Sequence, residues 1–268
     1  MRIFLLLIMS IALFAKQTPV KDGTSTTLSV LKDYSLDKYK IIYTVVALAD
    51  NKHQGIVPIS KMLGNGDDAR NNLYWGAMYG IKTYFKKSSK WRIIKKIKNP
   101  NKYILERIIL KHKTSNTIFV ADAFRGKNIK KSIIEFLSVV GGKEILSFSK
   151  NFKFKKPKLV NYIGHNGLMD FNLDKKIKLL DKGNRDVVIL ACKSRPYFKD
   201  ILSKLKVKSM LLTNGFMAPE AYTLHDIIDV WNIKKSKTTI REAAAKAYHK
   251  YQKCGMRGAR GLFYYKNI

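Results

Sequence analysis

Two residues in this sequence are placed to do chemistry from similar settings. The stretches "LVNYIGHNGLMDF" and "DVVILACKSRPYF" are apolar runs that stop abruptly in a small or polar cluster, one delivering His165 and the other Cys192. A thiol attacks as its thiolate, which is favoured beside cations and at a helix N-terminus, and Cys192 is followed closely by Lys193 and Arg195. A neighbouring imidazole takes the thiol proton and later hands it to a leaving amine, the acid–base work that histidine performs near neutral pH. The turn Gly164-His165-Asn166-Gly167 is expected to leave backbone N–H groups of Gly164, Asn166 and Gly167 available to an oxyanion. Two readings without chemistry stand beside this one. Cys192 can close an apolar strand as a small buried hydrophobe, or pair with Cys254, the other cysteine of the chain, in a disulfide.

For His165 and Cys192 to meet, the segments that carry them must be neighbouring strands. The pattern of apolar residues and breakers predicts strands over 41–49, 104–110, 117–124, 159–163, 187–191 and 209–213. Helices are predicted in "KNIKKSIIEFLSVVGG", stopped by Gly141-Gly142, over 195–205, in "FMAPEAYTLHDIIDVW" and in "TTIREAAAKAYHKYQK". A further helix is expected to start at Asn65-Gly66-Asp67-Asp68 and to present Leu73, Met78, Ile81 and Phe85 on one face. Residues 168–186 read as a polar connection or hairpin. Short, almost continuously apolar strands separated by helices are how strands buried on both faces of a mainly parallel sheet read. The fold class is therefore α/β. In such sheets reactive groups collect just beyond the carboxyl ends of the strands, where His165 and Cys192 both fall.

At these residues the sequence resembles the caspase-like cysteine peptidases, the broad group of caspases, metacaspases, legumains, gingipains and CHAT domains. Members carry a catalytic His in a strand-end turn and a catalytic Cys at the next strand end, often within an Ala-Cys-x-Ser stretch. Here "YIGHNG" and "VILACKS" look like those two elements in the same order. The segment "VKSMLLTNGFMAPEAYTLHDIIDVW" followed by "TTIREAAAKAYHKY" is similar to the CHAT-type ending of strand, long helix and Ala-rich helix. The resemblance implies a three-layer sandwich, hydrolysis of peptide bonds in a peptide or protein substrate through a Cys192–His165 dyad, and no cofactor. It also implies a substrate pocket around Asp50 and Asn51, where an acid would favour a basic residue on the amino side of the cut, as in metacaspases. Asp50 as a simple loop cap is the alternative.

The remaining features bound the setting. "MRIFLLLIMSIALFAKQ" places Arg2 before an apolar run that ends at Ala15, which suits a secretory signal over 1–15, with an uncleaved anchor as the alternative. A polar leader over 16–37 and a single caspase-like α/β domain over 38–268 follow, so export to the periplasm or beyond is expected, with no membrane span after signal cleavage. Lys and Arg number 52 against 19 Asp and Glu, a formal charge of +33. Such a surface attracts anionic lipid, glycan or nucleic acid alike, and a non-catalytic envelope or secreted binding protein on the same scaffold is the second reading. No metal-ligand spacing is present. "GNGDDAR" reads as a cap, with calcium a weaker alternative, and Tyr74, Trp75 and Tyr79 read as core.

Overall fold

The computed structural model describes residues 38–145, 156–174 and 176–266, so the signal over 1–15 and the leader over 16–37 lie outside the described residues. The first strand, β1 (Lys40–Ala47), shows why a continuous apolar run was needed. Ile42 and Val46 enter one hydrophobic cluster, while Ile41, Tyr43, Val45 and Ala47 enter another on the opposite face. Both faces are dry, so alternation with polar residues would bury unpaired polar groups.

Three strands follow on one side: β2 (Trp91–Asn101), β3 (Ile104–His112) and β4 (Thr117–Phe124). The first two form an antiparallel hairpin, β4 pairs antiparallel with β3, and β4 then runs parallel to β1. On the other side of β1 lie β5 (Leu159–Ile163), β6 (Asp186–Leu190), β7 (Lys208–Thr213) and the two-residue β8 (Phe263–Tyr264). The order across the eight-stranded sheet is β2-β3-β4-β1-β5-β6-β7-β8, with β4, β1, β5, β6 and β7 mutually parallel. At one edge β2 carries exposed Arg92, Lys96 and Lys98 and has register shifts at two places; at the other, β8 pairs with only Leu212 and Thr213.

Helices cover both faces. On the Tyr43 face lie α2 (Ile129–Val140) and α3 (Ser194–Lys204), whose Phe136 and Phe198 pack near Tyr162. On the Ile42 face lie α1 (Ile81–Lys87), α4 (Ala221–Asn232), α5 (Lys237–Gln252) and α6 (Met256–Leu262). This is the mainly parallel α/β sheet that the strand pattern predicts, in the three-layer sandwich that the resemblance implies. None of the described helices is long and apolar enough to cross a membrane.

A buried ionic cluster ties β1, β3 and β4 together. Arg107 and Asp122 face each other across the β3–β4 ladder with no solvent exposure, joined by Arg107 Nη2 to Asp122 Oδ2 at 2.6 Å and by a short Nε contact to Oδ1. The Tyr43 hydroxyl donates to Asp122 Oδ2 at 2.7 Å. Burial, and then the negative charge of Asp122, hold the Tyr43 phenol well above its ordinary pKa.

The helix expected from Asn65 to Phe85 is confined to α1. Residues 65–80 are a series of turns, and Met78 is exposed rather than on a buried face. The physical reason is Asn72, fully buried, whose amide donates to Ala49 O at 2.8 Å and Asn65 O at 3.0 Å and whose Oδ1 accepts from Ala49 N at 3.2 Å. This pegs the loop to the end of β1, and the chain folds back so closely that a Cβ on Gly76 would stand 1.9 Å from Arg70 O. Asp68 caps that turn, accepting from the Arg70 and Asn71 N–H groups at 2.7 and 3.2 Å.

Candidate active site

The strands β5 and β6 are paired in parallel, Ile163 opposite Leu190, so the residues just beyond them emerge side by side. His165 and Cys192 line one cavity of about 290 Å³. Gly164 makes the sharp exit of β5 possible: its φ is +140°, and a Cβ there would stand 2.6 Å from Ala47 O. Asn166 braces the two turns, its Nδ2 donating to Cys192 O at 2.9 Å while its Oδ1 accepts from Leu168 N at 3.2 Å. The Tyr162 hydroxyl donates to His165 O at 2.8 Å.

Below Cys192 the clamp is Ser194, the last residue of the Ala-Cys-x-Ser stretch. Ser194 Oγ accepts from Thr213 N at 2.8 Å, Ser194 N donates to Thr213 Oγ1 at 3.0 Å, and Thr213 Oγ1 makes a short bond to Ala191 O. Lys193 adopts the left-handed conformation, φ 46°, between Cys192 and the start of α3. A strained non-glycine residue next to a helix N-terminus is a costly way to end a strand, and it turns Cys192 out toward the cavity with the positive end of the helix beside it. The thiol rests against Met217, 3.4 Å from its N and 3.5 Å from its O. Both cysteines are free and Cys254 is exposed, so no disulfide occupies Cys192.

The sequence reading did not single out Asp170. Its Oδ2 lies 2.7 Å from His165 Nε2 and also accepts from Gly55 N at 3.1 Å. An ionised carboxylate only accepts hydrogen bonds, so this contact places the ring proton on Nε2 and leaves Nδ1 as the basic nitrogen. Nδ1 makes no hydrogen bond among the described residues. An acid five positions after the histidine, within "GHNGLMD", was the available signal, since that spacing returns through one tight turn. No hydrogen bond joins the thiol to the imidazole, as is common before a substrate tightens such a pair.

The turn offers fewer free donors than its glycines suggest. The Gly164 N–H is taken by Leu190 O at 3.3 Å and the Gly167 N–H by His165 O at 3.1 Å. The backbone N–H groups of His165, Asn166 and Cys192 make no hydrogen bond among the described residues, and these are the donors left for an oxyanion.

Asp50 and Asn51 are placed elsewhere. They line a second cavity with Lys52, His53, Lys61 and Lys127. Asp50 accepts from Lys52 N at 3.0 Å and contacts His53 Nδ1 at 2.8 Å, while Asn51 closes its own loop on Ile59. Of the three aromatics read as core, Trp75 is fully buried and donates to Glu106 Oε2 at 2.6 Å, and Tyr79 packs edge-on against Tyr222 and Tyr251. Tyr74 is in the same buried cluster and also lines the cavity of His165 and Cys192. Burial, then the nearby Cys192 and Glu220, push its phenol above the ordinary value.

A cluster that could ligate a cation lies apart from this site, on α4: His225, Asp226 and Asp229 offer atoms within 4.8 Å of one another. Two of its members already have partners, Asp229 in an ion pair with Lys90 at 2.6 Å and His225 Nε2 with Ser88 Oγ at 2.9 Å. What the fold and site define is therefore a Cys/His/Asp constellation above a parallel α/β sheet. No protein-family model, curated protein or solved structure matches the chain.

Proposed function

We propose that this protein is an exported, caspase-like cysteine peptidase that uses Cys192 as nucleophile and His165 as general base and acid. The observation that carries the reading is that His165 and Cys192, at the ends of adjacent parallel strands, line a single cavity, with Asp170 orienting the imidazole. The order of the two strand-end motifs and the His-before-Cys arrangement agree with the resemblance seen in the sequence.

In this scheme His165 Nδ1 takes the thiol proton as Sγ attacks the substrate carbonyl carbon, forming the C–S bond and an oxyanion. The Asn166 and Cys192 N–H groups supply fixed dipoles to that oxygen. Collapse breaks the C–N bond, and the imidazolium returns its proton to the departing amine. Water, deprotonated by the same nitrogen, then cleaves the thioester and releases the acid. Asp170 holds the ring through Nε2 and stabilises the imidazolium, in the manner of other base-orienting carboxylates.

Cys192→Ala is expected to abolish hydrolysis of a mixed peptide library while the far-ultraviolet circular dichroism and melting curve stay unchanged. Hydrolysis retained in that variant would remove the assignment.

A further inference from the structure

The walls of the cavity beside Cys192 differ from those of the cavity at Asp50. Ile56, Val57, Met169, Phe216, Met217 and Pro219 make most of its surface, and no Asp, Glu, Lys or Arg among the described residues lines it. Val57 is 85% exposed and Phe216 66% exposed, two large apolar side chains left in water beside the reacting groups. Isolated exposed apolar residues are ordinary, but a pair flanking a concave apolar site marks a surface that a ligand covers. Lys193 Nζ sits over the Phe216 ring at 4.6 Å, so this cation at the rim is engaged.

One polar group breaks the apolar lining. Tyr74 is 8% exposed, and its hydroxyl makes no hydrogen bond among the described residues. Every other buried phenol among the described residues has a partner: Tyr43 binds Asp122, Tyr162 binds His165 O, Tyr222 binds Glu220, and Tyr248 accepts from Ala218 N. A hydroxyl at the wall of a cavity that no protein group partners is open to whatever fills the cavity.

We propose that this cavity is the specificity pocket, that it takes an uncharged apolar side chain next to the scissile carbonyl, and that the Tyr74 hydroxyl donates to an acceptor oxygen of the same substrate. The catalytic part of this inference rests on the peptidase reading; the binding part does not. A charged side chain would surrender its hydration to walls that offer no counter-charge, whereas a leucine or phenylalanine side chain would cover Val57 and Phe216. The basic preference that an acid at Asp50 would give is assigned to no residue of this pocket.

The test uses the full chain and a set of peptidyl acyloxymethyl ketones that differ only in the residue bearing the warhead: Leu, Phe, Arg or Asp. Labelling of Cys192 is followed by intact-mass and peptide mass spectrometry. Leu or Phe is expected to label at least about tenfold faster than Arg and Asp. Ile56→Glu is expected to reverse the order in favour of Arg, and Tyr74→Phe to slow the best probe about threefold to tenfold without changing the order. Arg or Asp labelling fastest in the unaltered protein would overturn the pocket assignment, and an unchanged rate in Tyr74→Phe would overturn the role of the hydroxyl. A parallel measurement separates binding from chemistry: saturation-transfer NMR on the Cys192→Ala protein with N-acetyl-leucine amide and N-acetyl-arginine amide. Transfer to the leucine amide alone supports the apolar pocket even where no ketone reacts, which would count against the peptidase reading only. Equal transfer, or transfer to the arginine amide alone, would overturn the apolar pocket.

Discussion

On the peptidase reading, the contact of Asp170 with His165 Nε2 selects Nδ1 as the nitrogen that takes the thiol proton. Asp170→Asn presents an amide that can donate to Nε2, which favours the opposite tautomer and puts the ring proton on the nitrogen that must accept. Turnover is expected to fall about 100-fold or more, with the fold intact, because an equivalent change to a base-orienting carboxylate costs more than that in the best-studied serine peptidases. Steady-state rates with the preferred peptide, together with iodoacetamide labelling of Cys192, check this; an unchanged rate would take Asp170 out of the proton path. Of the site residues, His165 and Cys192 were legible because each ends an apolar run. Asp170 was not, because a solitary Asp in a polar connection looks like any other solvated acid. Tyr74 was hidden for the opposite reason: it is core, in one buried cluster with Trp75, and nothing in its spacing shows that it also lines the cavity.

At the scale of elements, two groups of charges carry the stability predictions. Removing the carboxylate from the Arg107–Asp122–Tyr43 cluster leaves a guanidinium buried between β3 and β4 without its counter-charge. Asp122→Ala is expected to cost about 3–5 kcal/mol in urea denaturation, the range for breaking one side of a buried pair. A loss below about 1 kcal/mol would mean that water or another group reaches Arg107. The second group lies in the connection between β5 and β6 and ties it to Lys156, just ahead of β5. Arg185 binds Asp181 through both Nη atoms at 2.6 and 2.8 Å, Gly183 N donates at 3.0 Å, and Lys156 makes a short ion pair with it. Hydrogen bonding to Arg185, then to Lys156 and Gly183 N, outweighs burial and holds the Asp181 carboxyl well below the usual carboxylate range. A depressed acid stabilises the fold above its unfolded pKa of about 4, and that contribution is lost as the pH falls below it. Asp181→Asn is therefore expected to lower stability at neutral pH and to flatten the acid limb of the stability curve, measured as melting temperature from pH 7 down to pH 3. An acid limb as steep as that of the unaltered protein would rule Asp181 out as its source.

The strands that were legible, β1 and β3 to β7, are the ones buried on both faces, where polar residues are few and, like Arg107 and Asp122, need a partner, so the apolar run is its own signature. β2 escaped notice because it is an edge strand: its lysines face water between the isoleucines and read as charge. The helix expected from Asn65 failed because apolar spacing says nothing about Gly76 lying against Arg70 O.

For the molecule as a whole, the charge of +33 is the dominant long-range property. It predicts retention on an immobilised polyanion such as heparin, with an apparent association constant that falls steeply as salt rises from about 50 to 200 mM. A salt-independent constant would mean that binding is local rather than a property of the field. On the peptidase reading, catalysis on a small uncharged peptide should change little over the same salt range, since no Asp, Glu, Lys or Arg among the described residues lines the pocket. The sheet edges add something different. Along β2, Arg92, Lys96 and Lys98 line the outermost strand, and its ladder slips register twice. At the far end β8 offers two residues before the chain turns away. A second copy attempting to zip onto either margin meets like charge and broken register on one side and almost no backbone on the other. Crowding this protein should therefore leave its sheet finite, because neither margin can template a growing ribbon.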